Sequence, residues 1–224
     1  MIMRKERSAL IVFLKNPTEG HVKTRLAAGI GNEKALWIYL ELLSITAEAV
    51  KNLAGISVFL YFDEALPGDA SAEEHQARVH AFRNGENCTV AVQTGDNLGE
   101  RMLNAFTEVK NKGFHKICII GTDCPEISTA LLEEAFRELD THDLVTGPAL
   151  DGGYYLLGMK QVHAPLFKDK NWSTTTVLAS TMGDAADAGL SVALLRQLRD
   201  LDDSDDLAFF PHLEKRIFTG NHTG

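Results

Sequence analysis

Hydrophobic and polar positions along the chain form two kinds of segment that follow each other in regular order. Short apolar runs such as residues 8–14 are typical of strands buried on both faces of a sheet. Longer stretches have apolar positions that recur every three or four residues, as in an amphipathic helix. This order predicts an α/β fold, an α/β/α sandwich with a mainly parallel, twisted sheet covered by helices. We expect residues 1–224 to form a single domain.

Individual elements follow from the same pattern. Strands are predicted at 8–14, 56–62, 89–93, 116–120, 144–147, 154–159 and 191–195. Helices are predicted near 72–82, 98–112, 131–139 and 175–188, together with a long helix capped by Asn32 and a last helix that starts at the acidic turn 200–206. Ser128 caps the 131–139 helix, and either Asp96 or Asn97 caps the preceding one. Residues 15–31 are predicted to be a polar loop.

Composition narrows the class of protein. The net charge of -9 argues against a nucleic-acid partner, because binding to a phosphate backbone needs a basic face. A few local cations and a metal can still hold a small phosphorylated ligand. The three cysteines lack Cys-x-x-Cys spacing, so neither a disulfide framework nor a cysteine zinc site is expected. The apolar run 9–14 is too short for a signal sequence or a membrane span, which predicts a soluble cytoplasmic protein. The sequence leaves open whether the protein forms a homodimer.

The loop after the first strand carries the residue types of a phosphate site. It contains the cations Lys15, Lys23 and Arg25, the hydroxyl of Thr24 and the flexible Gly20. It is not a Walker A loop, because Gly20 lies only three residues before Lys23, and no Gly-x-Gly-x-x-Gly follows the strand. We interpret Lys23 and Arg25 as the main phosphate ligands. The alternative is a solvated basic loop.

Two acids follow predicted strands at the edge where open α/β sheets bind ligands. Asp123 stands behind Gly121 and Thr122, directly after the 116–120 strand, where its carboxylate could hold a hard cation shared with a diphosphate. Asp151 precedes the 154–159 strand and could share that ion. Two other interpretations remain: Asp123 as a helix cap or turn residue, and Asp151-Gly152 as the turn of a tight hairpin.

Further candidates lie in the later loops. Arg101, in the first turn of a helix, is free to face a nucleotide. The residues assigned to the acceptor side are Gly152, Gly153, Tyr154, Trp172 and Ser173. The two glycines permit close backbone approach to a ligand, and Trp172 is either a core residue or a platform for the acceptor.

Five short motifs in this order resemble the bacterial DUF2064 family of proposed glycosyltransferases. They are Leu-Ile-Val-Phe-Leu-Lys-Asn-Pro at 10–17 with Gly-x-Val-Lys-Thr-Arg-Leu at 20–26, Asn-Leu-Gly-Glu-Arg-Met at 97–102, Gly-Thr-Asp-Cys-Pro at 121–125, Gly-Pro-x-x-Asp-Gly-Gly-Tyr-Tyr-Leu-Leu-Gly at 147–158 and Trp-Ser-Thr at 172–174. The resemblance spans nearly the whole chain. The Asp-rich segment 200–207 is similar to one that opens the last helix in many related transferases.

The resemblance implies the nucleotide-diphospho-sugar transferase (GT-A) fold, with a nucleotide over the first strands. It also implies Mg or Mn held by Asp123, and we expect Asp151 to be the second metal ligand or the base that deprotonates an acceptor hydroxyl. The chain lacks the Gly-x-Gly-x-Arg loop of nucleotidyltransferases and an Asp-x-Asp pattern. The sequence therefore predicts a glycosyltransferase; the alternatives are a nucleotidyltransferase that uses a nucleoside triphosphate and a non-catalytic nucleotide-binding protein.

Overall fold

The fold is described here from a computed structural model, over residues 7–65, 80–82, 88–172 and 174–218. The strands are β1 (Ser8–Leu14), β2 (Ile56–Phe62), β3 (Cys88–Val92), β4 (Lys116–Ile120), β5 (Leu144–Pro148), β6 (Tyr154–Met159) and β7 (Val192–Leu194). The α-helices are α1 (Thr24–Ile30), α2 (Asn32–Lys51), α3 (Leu98–Asn111), α4 (Thr129–Thr141), α5 (Val177–Asp187) and α6 (Pro211–Phe218). Short 3-10 helices cover Ala164–Phe167 and Asp206–Phe209.

All seven strands join one sheet in the order β3-β2-β1-β4-β6-β5-β7. Neighbouring strands are parallel except at β6, which runs antiparallel to both β4 and β5. The carboxyl ends of the other six strands therefore meet at one edge of the sheet. This arrangement confirms the predicted α/β fold with a mainly parallel sheet.

Each face of the sheet is covered by a separate apolar cluster. Alternate side chains of β1, such as Leu10 and Val12, pack with the helices α2 and α4. The intervening side chains Ala9 and Ile11 pack with α3 and the Ala164–Phe167 helix. Since successive side chains of a strand point to opposite faces, burial on both faces requires the unbroken apolar sequence of β1. A third cluster joins α1 and α2 to α6.

The predicted start of α2 and the predicted polar loop 15–31 need correction. Residues Thr24–Ile30 form the short helix α1 inside that loop. Asn32 is the first residue of α2 and not its cap; Gly31 takes the cap position with a φ of 90°. A backbone with this φ favours glycine, which explains why α2 begins without a side-chain cap. Most of the predicted 72–82 helix lies outside the described residues.

Two other helix starts agree with the sequence prediction. The side chain of Asn97 accepts a hydrogen bond from the Glu100 amide at 3.0 Å, and that of Ser128 accepts one from the Leu131 amide at 3.4 Å. Both contacts are N-caps. Within the described ranges, no helix combines the length and the apolar character needed to cross a membrane.

Candidate functional site

A cleft of about 790 Å³ opens at the edge of the sheet where the parallel strands end. Its lining comes from the loops after β1, β2, β3 and β4, the turn after β5, and the segments before α5 and after β7. Most residues that the sequence proposed for the site line this cleft: Lys15, Lys23, Thr24, Arg25, Arg101, Gly121, Thr122, Asp123, Asp151, Gly153, Tyr154 and Trp172. Loops far apart in the sequence thus converge as predicted.

Lys23 is buried at the base of the first loop. Its Nζ donates to the Leu201 carbonyl at 2.8 Å and forms ion pairs with Asp123 and, at 3.4 Å, with Asp202. Only 5% of its side chain is exposed, so the solvated-loop interpretation is wrong for this residue. Its backbone is left-handed, with φ 48° and ψ 45°, a conformation that costs a non-glycine residue about 1–3 kcal/mol. Surrounding contacts hold the ammonium in place.

Arg25 extends the positive charge towards solvent. Its guanidinium contacts Asp202 at 2.7 Å, and 74% of the side chain is exposed. Asp202 therefore bridges the two cations; Arg25 lies at the mouth of the cleft, whereas the Lys23 ammonium lies beneath it among its three partners. An exposed ion pair of this kind contributes little to stability, on the order of 0–1 kcal/mol.

Tyr39 of α2 fixes the end of β1 beneath these cations. Its hydroxyl accepts from the Lys15 amide at 2.7 Å and donates to the Lys15 carbonyl at 3.1 Å. The Thr122 side chain hydrogen-bonds the same hydroxyl. Burial raises the pKa of Tyr39, so its hydroxyl stays protonated. Residue spacing in α2 gives no sign of this contact, because it does not show which loop the Tyr39 hydroxyl meets.

Asp200 is an acid of the cleft that the sequence analysis did not assign to the site. One of its carboxylate oxygens is buried without a hydrogen-bond partner. Burial raises the pKa of Asp200 to about 7, and the negative charges of Asp123, Asp151 and Asp202 add to this effect. The segment 200–202 is held at the cleft because the Leu201 amide donates to the Asp123 carbonyl at 2.9 Å.

The acidic turn divides into two parts with different contacts. Carboxylates of Asp203 and Asp206 accept backbone amides of residues 202, 203, 205 and 206, as a helix start would. Asp200 and Asp202 line the cleft instead. The second half of the turn starts the short 3-10 helix Asp206–Phe209, whereas the last helix α6 begins at Pro211, so the prediction that the last helix starts in the acidic turn is wrong.

Asp151 occupies the turn of the β5–β6 hairpin and also lines the cleft. Ala149 donates to the Gly153 carbonyl at 3.0 Å, and Asp151 Oδ1 accepts the Gly153 amide at 2.8 Å. The hairpin is thus confirmed, but its turn is not the predicted Asp151-Gly152 pair: the Gly152 amide donates to the Ala149 carbonyl at 3.3 Å, which places Leu150 and Asp151 at the centre. Gly152 does not line the cleft; with a φ of 88° it lies so close to the next segment that a Cβ would be 2.1 Å from the Thr175 carbonyl oxygen. Its small size serves packing against this backbone.

Two sides of the cleft differ in character. We call Lys23, Arg25, Asp123, Asp200 and Asp202 the charged wall; it adjoins α1 and the sheet face covered by α2. We call Leu98, Arg101, Met102, Tyr154 and Trp172 the packed wall; it adjoins the face covered by α3. In the packed wall, Arg101 Nε donates to the Gly95 carbonyl at 3.1 Å. Ser173 lies outside the described residues.

The charged wall offers oxygen ligands of the kind that Mg²⁺ and Mn²⁺ prefer. Among the described residues, no three His, Cys, Asp or Glu side chains are grouped so as to hold a metal by themselves. Asp123 and Asp151 line one cleft, and the unpartnered oxygen of Asp200 adds a third carboxylate to it. Mg²⁺ sites commonly use one or two carboxylates completed by substrate phosphates and water, so this donor set fits such a cation.

Comparison with known proteins defines the class of fold. A Desulfovibrio desulfuricans G20 protein, provisionally described as a nucleotide-diphospho-sugar transferase, is 28% identical, with a TM-score of 0.81 over 98% of this chain and 90% of its own. The 4-diphosphocytidyl-2C-methyl-D-erythritol synthase from Anaerococcus prevotii DSM 20548 shares 10% identity, with a TM-score of 0.62 over 94% of this chain and 97% of its own. The chain has the fold of nucleotide-related transferases.

The family follows from the sequence itself. A family model described as "Uncharacterized protein conserved in bacteria (DUF2064)" matches residues 46–174, more than half of the chain. The chain belongs to the DUF2064 family.

A CMP:2-keto-3-deoxy-manno-octonic acid synthetase, solved in complex with CTP, shares the fold at 12% identity and a TM-score of 0.52, over 93% of this chain and 99% of its own. No curated protein matches the sequence.

Proposed function

We propose that the chain is a glycosyltransferase that transfers a sugar from a nucleotide-diphospho-sugar donor to a hydroxyl acceptor, with the help of Mg²⁺ or Mn²⁺. The observation that carries this proposal is the charged wall, where cations for a diphosphate and acids for a divalent metal share one cleft. A diphosphate held by Lys23 and Arg25 would lie beside a metal held by Asp123, with Asp151 as either the second metal ligand or the base. The similarity to the Desulfovibrio protein supports this ligand class.

The chemistry requires stabilisation of a charged leaving group. The bond between the sugar's anomeric carbon and the diphosphate oxygen breaks, while the acceptor oxygen bonds to that carbon. A divalent cation bound to the acids would neutralise charge that develops on the diphosphate. Lys23 and Arg25 bind its oxygens through charge-assisted hydrogen bonds. Thr24, Gly121 and Thr122 complete the proposed nucleotide side of the cleft, and Arg101 is proposed to contact the nucleotide from the packed wall.

The acceptor proton needs a base on the cleft surface. Asp151 is one candidate, because it lies in the turn beside Gly153 and Tyr154. Asp200 is a second, because its buried carboxyl has a pKa of about 7, which suits proton transfer near neutral pH. Asp151→Asn and Asp200→Asn distinguish them: the variant that removes the base lowers kcat far more than it raises the KM of the donor.

Product analysis tests the proposal most sharply. The purified protein is incubated with nucleotide sugars or nucleoside triphosphates, with Mg²⁺ or with a chelator. Metal-dependent release of a nucleoside diphosphate supports sugar transfer. Release of pyrophosphate from a triphosphate would identify nucleotidyl transfer, in which the acceptor attacks the α-phosphate. Binding without any turnover would leave a non-catalytic nucleotide-binding protein.

A further inference from the structure

Gly99 is the point at which the packed wall lies directly on a helix backbone. It stands in the first turn of α3. A Cβ at this position would be 2.3 Å from the Phe167 carbonyl oxygen and 2.6 Å from both Cζ2 and Nε1 of the Trp172 indole. Real side chains do not approach so closely. Only a glycine therefore lets the indole rest against α3.

The surface beneath the indole is fixed by a reciprocal cap. Asn97 Oδ1 accepts the Glu100 amide at 3.0 Å, and Glu100 Oε2 accepts the Asp96 amide at 2.9 Å. The arrangement differs from a capping box in that Glu100 accepts the amide of Asp96 instead of that of the cap residue Asn97, but it satisfies amides on both sides of the helix start. These contacts fix the first turn of α3. Within the motif at 97–102, Asn97 caps the helix and Arg101 donates to the Gly95 carbonyl.

The segment that carries Trp172 is attached to α3 at a second point. The Phe167 ring packs against Phe106 of α3, with ring centroids 5.7 Å apart. On the other side of Trp172, the backbone of Thr175 contacts Gly152. With contacts before and behind it, the indole is held at the cleft, where Met102 and Tyr154 are its neighbours in the packed wall.

We propose that Gly99 is a positioning residue that holds Trp172 as the platform for the acceptor, and that this acceptor is a hydroxylated ring with an apolar face. This inference rests on the proposed function, which assigns the donor diphosphate to the charged wall. A tryptophan ring offers a large flat apolar surface at low entropic cost, together with one N–H donor. An acceptor ring lies on this surface while its hydroxyl points across the cleft towards Asp151 or Asp200.

The packing is tested by fluorescence in a Trp37→Phe background. The sequence has two tryptophans, so Trp172 is then the one that remains. Gly99→Ala forces the indole away from α3, so its emission shifts to the red and its quenching by iodide rises about two-fold. Gly183→Ala is the matched control, because a Cβ there has no atom within 4 Å. Unchanged emission and quenching in Gly99→Ala would overturn the positioning role.

Ligand binding tests the platform role separately. Methyl pyranosides, used as acceptor probes, are expected to quench the fluorescence of Trp172 in the parent protein. In Gly99→Ala their affinity should be about ten-fold weaker, because the displaced indole no longer offers its face to the ring. Affinity for a nucleoside diphosphate with Mg²⁺ should stay the same. Absence of any response to the pyranosides, while the nucleotide binds, would overturn the platform role alone. Absence of nucleotide binding would instead contradict the proposed function.

A variant that removes the indole covers the case in which Gly99→Ala does not fold. Trp172→Ala should raise the acceptor KM without a matching fall in donor affinity. In that background, Gly99→Ala should still lower stability through the clash with the Phe167 carbonyl oxygen, but it should add little to the acceptor KM, because two residues that act through one contact are not additive. Fully additive losses would show that Gly99 acts on the cleft without Trp172.

Discussion

The two walls of the cleft are held together by different physical forces. In the charged wall, a buried ammonium contacts two carboxylates and a carbonyl, and one acid keeps an unpartnered oxygen. Beside the packed wall, Gly99 and Gly152 allow backbone and rings to approach within distances that exclude a Cβ. The strength of charge contacts depends on pH, salt and bound ligands, whereas close packing depends on the volume of the side chains that meet. The difference suggests that the charged wall rearranges when a ligand binds and the packed wall holds its shape.

The largest expected effect comes from adding volume beside the packed wall. Gly152→Ala places a Cβ 2.1 Å from the Thr175 carbonyl at a φ of 88°. We expect the free energy of unfolding to fall by about 3 kcal/mol, measured by chemical denaturation, because overpacking adds to backbone strain. Gly189→Ala is the control: its φ is 66° but no atom lies within 4 Å, so it should lose only about 1 kcal/mol. Equal losses in both would contradict the packing account.

Removal of Asp123 from the charged wall should act on binding, and also lower stability because the buried Lys23 ammonium loses one of its partners. Asp123→Ala is expected to weaken metal-dependent nucleotide binding about 100-fold, measured by calorimetry, as loss of one partner of a charged contact does. Asp140→Ala serves as the control, since Asp140 pairs with Lys116, the first residue of β4, at the opposite edge of the sheet. Nucleotide affinity that survives in Asp123→Ala would refute the metal assignment.

The two cations of the charged wall should differ in their effect on stability. Lys23→Met leaves Asp123 without its partner and is expected to lower the free energy of unfolding by about 1–2 kcal/mol. Arg25→Met, at an exposed pair, should change it by less than about 0.5 kcal/mol. Both should weaken diphosphate binding. Equal stability losses in the two variants would show that the burial of Lys23 does not make its ion pair more important for folding than that of Arg25.

A smaller effect concerns the pH dependence of stability. The pKa of Asp200 is raised to about 7, against about 3.9 for an unfolded chain. Between these values the unfolded state releases its proton first, so Asp200 lowers the free energy of unfolding as pH rises from about 4 to 7. Asp200→Asn lacks this penalty. It should equal the parent near pH 4 and become increasingly more stable than the parent as the pH rises towards 8; a difference that shrinks with rising pH would contradict the assignment.

The fold was predictable because its signals are local. The apolar run of β1 and the three-and-four spacing in α2 each identify an element from neighbouring residues alone. The rule that ligands bind at strand carboxyl ends then indicated Asp123 and the loop around Lys23. Their proposed roles in binding remain predictions.

Other features could not be read from local pattern. Asp200 enters the cleft through the bond between the Leu201 amide and the Asp123 carbonyl, which joins distant parts of the chain. Gly99 is explained by the Phe167 carbonyl and the indole of Trp172, and Gly152 by the backbone of Thr175. Such contacts depend on how loops meet in space. A glycine in the sequence gives no sign of what lies against it.

The most direct test of the central claim is a thermal-shift titration of the purified protein with nucleotide sugars, nucleoside diphosphates and nucleoside triphosphates, each with Mg²⁺, with Mn²⁺ and with a chelator. A ligand that binds the folded state raises the melting temperature by mass action. Our account predicts stabilisation by one nucleotide sugar and its diphosphate only when metal is present, and loss of that response in Asp123→Ala. Stabilisation that is independent of metal, or no response to any nucleotide, would contradict it.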